Sequence, residues 1–214
     1  MCIRDSTDGQ QLMLDKAVDM APRMILARRL LGRADKRHLY YLDRYYERIW
    51  AAGTAEWAQE SYLDVDQRAA FFQFGYSSAP AMVMRSIHAG SKYPVTPRDS
   101  NGELLSGENT YKMHLPAGIP ASLFWAVTAY NVTDGTMPET DQLMPSRNGF
   151  EDTVKNADGS IDIYFGPSKP SDVEDTNFIK TIPNRNFLAA LRLFGTEVEF
   201  FDQSWKPDDL VKLS

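Results

Sequence analysis

The sequence predicts an α+β protein in which N-terminal helices are followed by an antiparallel, jelly-roll-like β-sandwich. Up to about residue 91, apolar residues recur three and four positions apart, which is typical of amphipathic helices. From residue 92 onward, clusters of Gly, Asn, Asp and Pro separate short apolar runs. We therefore predict a helical segment at residues 7–91 and a β-sandwich domain at residues 92–214.

The first segment contains four predicted helices. Residues 10–31 are rich in Leu, Met, Ala and Arg, and Pro22 marks a break or kink in them. A stripe of apolar residues at helical spacing predicts a second helix, which ends at Gly53. The stripe consists of Leu39, Leu42, Tyr46, Ile49 and Trp50. Two shorter helices are predicted at 64–74, with an Asp as N-cap, and at 80–89.

The second segment contains five predicted strands. They cover residues 110–115, 121–131, 160–165, 187–194 and 197–201. Residues 160–165 alternate between apolar and polar, so Ile161, Ile163 and Phe165 are expected on one buried face.

Composition and charge exclude some classes of function. The net charge of −6 argues against a nucleic-acid binder, which needs a surplus of Lys and Arg. No stretch approaches the roughly 20 apolar residues that span a bilayer. Residues 23–48 carry eight basic and three acidic groups, so they form either a docking face for an acidic partner or membrane surface, or a solvated helix face.

The first six residues match the translation of a sequencing-library adapter, so we expect residues 1–6 to be an artefact. Cys2, the only cysteine, would then not be native, and the chain would offer neither a disulfide nor a thiol nucleophile. The sequence is on this interpretation a metagenomic fragment whose natural N-terminus is missing. The cellular compartment therefore stays open.

A series of short phrases in the second half resembles a known family. They include Arg98-Asp-Ser-Asn-Gly-Glu, Leu115-Pro-Ala-Gly-Ile-Pro-Ala, Phe124-Trp-Ala-Val-Thr-Ala-Tyr-Asn, Asn156-Ala-Asp-Gly-Ser-Ile-Asp-Ile-Tyr-Phe, Asn177-Phe-Ile-Lys-Thr-Ile-Pro, Leu191-Arg-Leu-Phe and Trp205-Lys-Pro. Over residues 70–212 their order resembles the C-terminal domain of the bacterial proteins catalogued as domain of unknown function 1214, which commonly follows domain of unknown function 1254. The resemblance implies a β-rich, jelly-roll-like domain, often exported or periplasmic, whose N-terminal companion is missing here. It supplies no reaction, and Asn131 stands where the family usually has Asp.

The residues needed for several chemistries are missing. The three His (His38, His88 and His114) form no His-x-His or His-x-Asp pair, so no metal site is predicted. Glycine patterns for dinucleotides or phosphates and a nucleophile elbow are also missing, and no cofactor is predicted. A pair of loop carboxylates remains open as acid and base, provided that the two lie about 5–10 Å apart. The candidates are Asp99, Glu103, Glu108, Asp134, Glu139 and Asp141.

Two features of the strands suggest a binding site. The strand at 121–131 is apolar on both faces, which indicates either a covered central strand or an aromatic platform using Trp125 and Tyr130. Arg192 lies within an apolar strand, so its charge needs a carboxylate partner or a polar cavity where it anchors an anionic ligand. The candidate ligand-binding residues are Tyr111, His114, Trp125, Thr128, Tyr130, Asn177 and Arg192.

These observations predict a β-sandwich module that binds a small molecule or carbohydrate within a homo-oligomer. Two alternatives stay open. One is a hydrolase or lyase that acts on sugar-like polar substrates through loop carboxylates, and the other is a purely structural interaction domain. No catalytic residue is assigned, and neither nucleic acid nor a membrane span is expected.

Overall fold

A computed structural model describes residues 6–30, 32–50, 53–72 and 79–214. The predicted α+β class is confirmed, with a sandwich of two sheets that are not closed into a barrel. The described α-helices are α1 (Asp8–Leu30), α2 (Val65–Phe71), α3 (Pro80–Val83) and α4 (Val198–Phe201), with short 3-10 turns at Gly32–Ala34, Lys36–His38 and Asp175–Asn177. The described strands are β1 (Ser91–Lys92), β2 (Val95–Thr96), β3 (Tyr111–Leu115), β4 (Ala121–Asn131), β5 (Ser146–Asn148), β6 (Ile161–Gly166), β7 (Phe178–Lys180), β8 (Phe187–Thr196) and β9 (Val211–Lys212).

The two sheets differ in their pairing. The first sheet has the order β1-β8-β4-β5, with β2 also paired to β8, and all these pairs are antiparallel. The second sheet has the order β7-β6-β3-β9, in which β6 and β7 are parallel and the other pairs antiparallel. Strand β4 is therefore central, between β8 and β5, as its two apolar faces predicted.

The core lies between the sheets. Ile161, Ile163 and Phe165 of β6 are buried together, as the alternation predicted. The Phe165 ring stacks on Phe187 of β8 with ring centres 5.5 Å apart, which joins the second sheet to the first. Tyr41 and Tyr46, from the first segment of the chain, belong to the same core.

The helix predictions had mixed outcomes. Helix α1 confirms the first predicted helix, although it continues through Pro22 without a break, and Leu31 lies outside the described residues. Helix α2 confirms the third predicted helix, because Asp64 caps it by accepting from the Gln67 N–H. Residues 73–74 lie outside the described residues. The fourth predicted helix, at residues 80–89, is confirmed only over α3, which ends at Val83.

The helix predicted from Leu39 to Trp50 is wrong. After the 3-10 turn at Lys36–His38, this stretch forms isolated bridges, and Glu47 exchanges both backbone hydrogen bonds with Val95. Leu42 is 78% exposed whereas Tyr46 is fully buried, so the stripe does not form one face. Pairing with the β-domain has replaced the helix that local spacing favoured.

Four of the five strand predictions are confirmed as β3, β4, β6 and β8. The strand predicted at 197–201 is wrong, because Val198–Phe201 forms one helical turn. Phe200 of that turn is buried against Tyr40 and Tyr41, so tertiary packing decides its conformation. No helix in the described ranges has the length and apolar character needed to cross a bilayer.

Candidate functional site

The seven candidate residues do not come together at one place. Tyr111 is buried between the sheets, where its hydroxyl accepts hydrogen bonds from the Ser106 N–H and Asn109 Nδ2, both at 3.1 Å. Trp125 is half-buried against the same core. These two aromatic residues therefore pack within the sandwich.

Thr128 and Tyr130 lie on the other face of β4. The buried Thr128 hydroxyl is 2.9 Å from the Ser146 hydroxyl, and Tyr130 packs against a cluster that includes Val95 and Leu188. Because Trp125 and Tyr130 lie on opposite faces of the strand, they cannot stack on one ligand together.

Asn177 is buried and ties a loop to the second sheet. Its Nδ2 donates to the carbonyl oxygens of Val154 (3.0 Å) and Asp162 (2.8 Å), and its Oδ1 accepts from the Val154 N–H at 2.8 Å. The hydrogen-bonding groups of this amide are therefore occupied by the protein's own backbone.

His114 has a carboxylate partner that sequence reasoning missed. Its Nδ1 lies 2.6 Å from Asp162 Oδ1, directly across from it on β6, and Lys112 Nζ lies 3.7 Å from the other oxygen. All three side chains are partly exposed on the outer face of the second sheet. Antiparallel pairing of the two predicted strands could have revealed this pair, since a correct register aligns His114 with Asp162.

Three of the six candidate loop carboxylates serve local turns or an ion pair. Asp99 Oδ1 accepts from the N–H groups of Asn101 and Glu103. Asp134 accepts from the backbone and hydroxyl of Thr136, and these hydrogen bonds lower its pKa. Asp141 pairs with Lys180, whose hydrogen bond lowers the Asp141 pKa.

Asn131, the residue that departs from the expected Asp, also belongs to a turn. Its Nδ2 donates to the Thr136 hydroxyl at 3.0 Å, and its backbone bonds to Thr136 and Gly135. An amide at this position supports the turn directly.

Arg192 has a different environment from the other six candidates. Leu191 and Leu193 point into the core, so the intervening Arg192 lies on the outer face of β8, where it is half-buried. Its guanidinium carbon is 5.4 Å from the ring centre of Phe194 and 5.9 Å from that of Tyr93. Within the described ranges, this guanidinium has neither a hydrogen bond nor an ion pair. The carboxylate partner considered above is thus not found there.

Further aromatic side chains continue the surface beside Arg192. Phe124 lies 5.5 Å from Phe194 and stacks on Phe150 at 4.9 Å, with 80% of Phe150 exposed. Ala126 lies directly across from Arg192, so no bulky side chain separates the guanidinium from the next strand. We call Arg192 with Tyr93, Phe124, Phe150 and Phe194 the arginine–aromatic surface.

Lys92 is a buried cation that sequence reasoning also missed. Its Nζ donates to the carbonyl oxygen of Met82 in α3 at 3.1 Å and to that of Met84, just after α3, at 2.6 Å. Burial, helped by the nearby charge of Arg48, lowers the pKa of Lys92 to about 8. Lys92 pairs with Leu193, so it points to the opposite face of the sheet from Arg192.

In the part of the chain that the structure describes, no three His, Cys, Asp or Glu side chains are placed to hold a metal ion.

The fold defines an α+β protein built on a two-sheet β-sandwich. The chain belongs to the family described as protein of unknown function DUF1214, which matches residues 90–198. This confirms the resemblance to domain 1214, whereas the companion domain 1254 and the missing N-terminus stay predictions. No curated protein matches the chain.

Two solved structures are similar to the chain. The VPA0106 protein from Vibrio parahaemolyticus is 22% identical over 100% of this chain and 47% of that chain, with a TM-score of 0.55. An uncharacterized protein from Burkholderia cenocepacia is 18% identical over 57% of this chain and 30% of that chain, with a TM-score of 0.41. The chain thus spans about half the length of the Vibrio protein, whose likeness shows the fold alone.

Proposed function

We propose that this domain is a binding module for a small organic anion, which it holds at the arginine–aromatic surface. The observation that carries the proposal is Arg192, a half-buried guanidinium with no carboxylate bound to it among the described residues. Arginine presents a rigid fork of donors that matches a carboxylate in a bidentate geometry. Packing against the adjoining rings of Phe194 and Tyr93 restricts the side chain before a ligand arrives, which reduces the entropic cost of binding.

The rings favour a ligand with an apolar face next to its anionic group. Phe194 lies beside the guanidinium, and Phe124 and Phe150 extend these aromatic faces further along the surface. Such faces stack on the C–H surface of a sugar ring or on another flat apolar group. A sugar acid combines both features, so it is the class of ligand that we propose, in line with the small-molecule or carbohydrate ligand expected from the sequence.

The test compares two sugars that differ in the acidic group. Isothermal titration with galacturonate and with galactose measures the contribution of the carboxylate. We expect galacturonate to bind and Arg192→Met to weaken it by about tenfold or more, since a hydrogen bond to a charged group contributes about 1.5–3 kcal/mol. Arg192→Lys should give an intermediate affinity because lysine keeps the charge without the fork.

The matched control is Arg185→Met, which removes an exposed arginine just before β8. It should leave the affinity unchanged. Equal affinity for galactose and galacturonate, or an equal loss of affinity in the Arg185→Met and Arg192→Met variants, would show that Arg192 does not bind the carboxylate.

We also propose that the protein forms a homo-oligomer, as expected from the sequence. Helix α1 supports this because apolar side chains along it are open to solvent, including Met13 (65% exposed), Val18 (70%) and Met24 (62%). Light scattering coupled to size exclusion measures the mass directly. A monomer across the accessible concentration range would contradict this part of the proposal.

A further inference from the structure

A groove with mostly apolar walls lies between α1 and α2, apart from the arginine–aromatic surface. Its volume is about 590 Å³, within the range of small-molecule sites. Met24 and Ile25 of α1 form one wall, and Ala69 and Ala70 of α2 form the other. Because both alanines are small, the walls leave room for a ligand instead of filling the space themselves.

The groove is also lined by one polar residue of α2, Gln67, which as a whole is only 7% exposed. Gln67 Nε2 lies 2.7 Å from His38 Nε2, and His38 Nδ1 lies 3.3 Å from the Arg48 carbonyl oxygen. A carbonyl can only accept, so Nδ1 carries a hydrogen, and the Gln67 amide nitrogen faces Nε2 on the other side of the ring.

This chain of hydrogen bonds fixes the orientation of the Gln67 amide. Its nitrogen faces His38, and its oxygen Oε1 then has no hydrogen-bond partner among the described residues. This oxygen is not among the fully buried atoms that lack a partner, so it is accessible from the groove that Gln67 lines and can accept a hydrogen bond there. The groove therefore offers apolar walls and one acceptor.

We propose that the α1–α2 groove binds a small, mostly apolar alcohol whose hydroxyl donates to Gln67 Oε1. A carboxylate ligand would place its acceptor oxygens against the Gln67 oxygen, which is also an acceptor. It would also lie near the carboxylates of Asp35 and Asp66, which line the groove. Arg37 and Arg28 already pair with these two acids, at 2.5 and 3.5 Å, so a cationic ligand gains little there. An alkyl chain against the walls and an uncharged donor at Gln67 match the groove best.

The experiment uses three probes with the same alkyl chain: 1-hexanol, hexanoate and hexylamine. Titrations followed by amide chemical shifts give the affinity of each and show where it binds. We expect hexanol to bind most tightly and to shift signals of α1 and α2. Hexanoate or hexylamine binding more tightly than hexanol would overturn the proposed ligand class, and hexanol failing to bind would overturn the site.

Two variants separate the walls from the polar group. Ala69→Trp places a ring in the groove and should abolish hexanol binding, whereas Gln67→Leu should weaken it about tenfold through the lost hydrogen bond. Ala17→Trp is the matched control, since Ala17 is an exposed alanine of α1 that does not line the groove. Ala69 is itself exposed, so its variant should fold even if Gln67→Leu does not. Unchanged hexanol affinity in Ala69→Trp refutes the proposal. Arg192→Met should leave hexanol binding intact, because Arg192 lies outside the groove.

Discussion

Replacing Gly107 by Ala tests how closely the loop before β3 packs against the loop before β8. A Cβ at this position would lie 2.1 Å from the Ile182 carbonyl oxygen and 3.0 Å from that of Arg185. The neighbouring atoms are backbone, so no side chain can rotate away. Gly107 also donates its N–H to the Arg185 carbonyl oxygen at 2.8 Å, and its own carbonyl oxygen accepts from the Thr181 hydroxyl at 2.9 Å.

The expected cost follows from these contacts. The two loops must separate by more than 1 Å to reach ordinary van der Waals distance, roughly the 3.4–4 Å at which carbon and oxygen touch. Overpacking of this kind costs about 1–3 kcal/mol, and each of the two weakened hydrogen bonds adds about 1 kcal/mol. We therefore expect Gly107→Ala to lower the free energy of unfolding by about 3–5 kcal/mol.

Urea unfolding followed by tryptophan fluorescence and circular dichroism measures this change. The matched control is Gly9→Ala in α1, where the added Cβ meets nothing within 4 Å. That variant should be neutral or slightly stabilising, because Ala favours helix over Gly by about 1 kcal/mol. If both variants unfold at the same urea concentration as the parent protein, the close contact between the loops does not exist in solution.

Three other predictions address the buried polar and apolar groups. Asn177→Ala should destabilise the protein by about 2–3 kcal/mol, because it leaves buried backbone partners unpaired; normal stability in thermal unfolding would contradict this. Burial lowers the pKa of Lys92 to about 8, so between pH 8 and about 10 the unfolded chain binds more protons than the folded protein, and stability should rise with pH. Lys92→Met should flatten this rise in unfolding measured across that pH range. At higher pH the ionisation of tyrosines such as Tyr40, whose pKa burial raises, opposes the rise. Leu191→Ala in the core should cost about 2–5 kcal/mol, whereas Leu143→Ala, at a side chain 94% exposed, should cost less than about 0.5 kcal/mol in the same urea assay.

The strands were predictable because their signal is local. Alternation along β6 placed Ile161, Ile163 and Phe165 on one buried face without knowledge of what covers them. The apolar character of both faces of β4 likewise indicated a central strand, and its bounds agree with the prediction. In each case the pattern reports burial, and burial of a strand face needs only a second sheet or a helix above it.

The two wrong elements have a common cause. Leu39–Trp50 carries helical spacing, yet Glu47 pairs with Val95, which lies far along the chain. Val198–Phe201 carries strand-like composition, yet Phe200 packs against Tyr40 and Tyr41. Contacts between residues about 50 to 160 positions apart outweigh propensities of less than about 1 kcal/mol per residue.

By itself the sequence determined the fold class, the central strand and the unusual placement of Arg192 between two core leucines. It could not say what faces that arginine. The pairing of β1 with β8 brought Tyr93, which follows β1, to its side, and the register between β3 and β6 placed His114 opposite Asp162. Spacing along a chain fixes which face a side chain occupies, whereas its neighbours on that face depend on how strands align, and only tertiary packing sets that alignment.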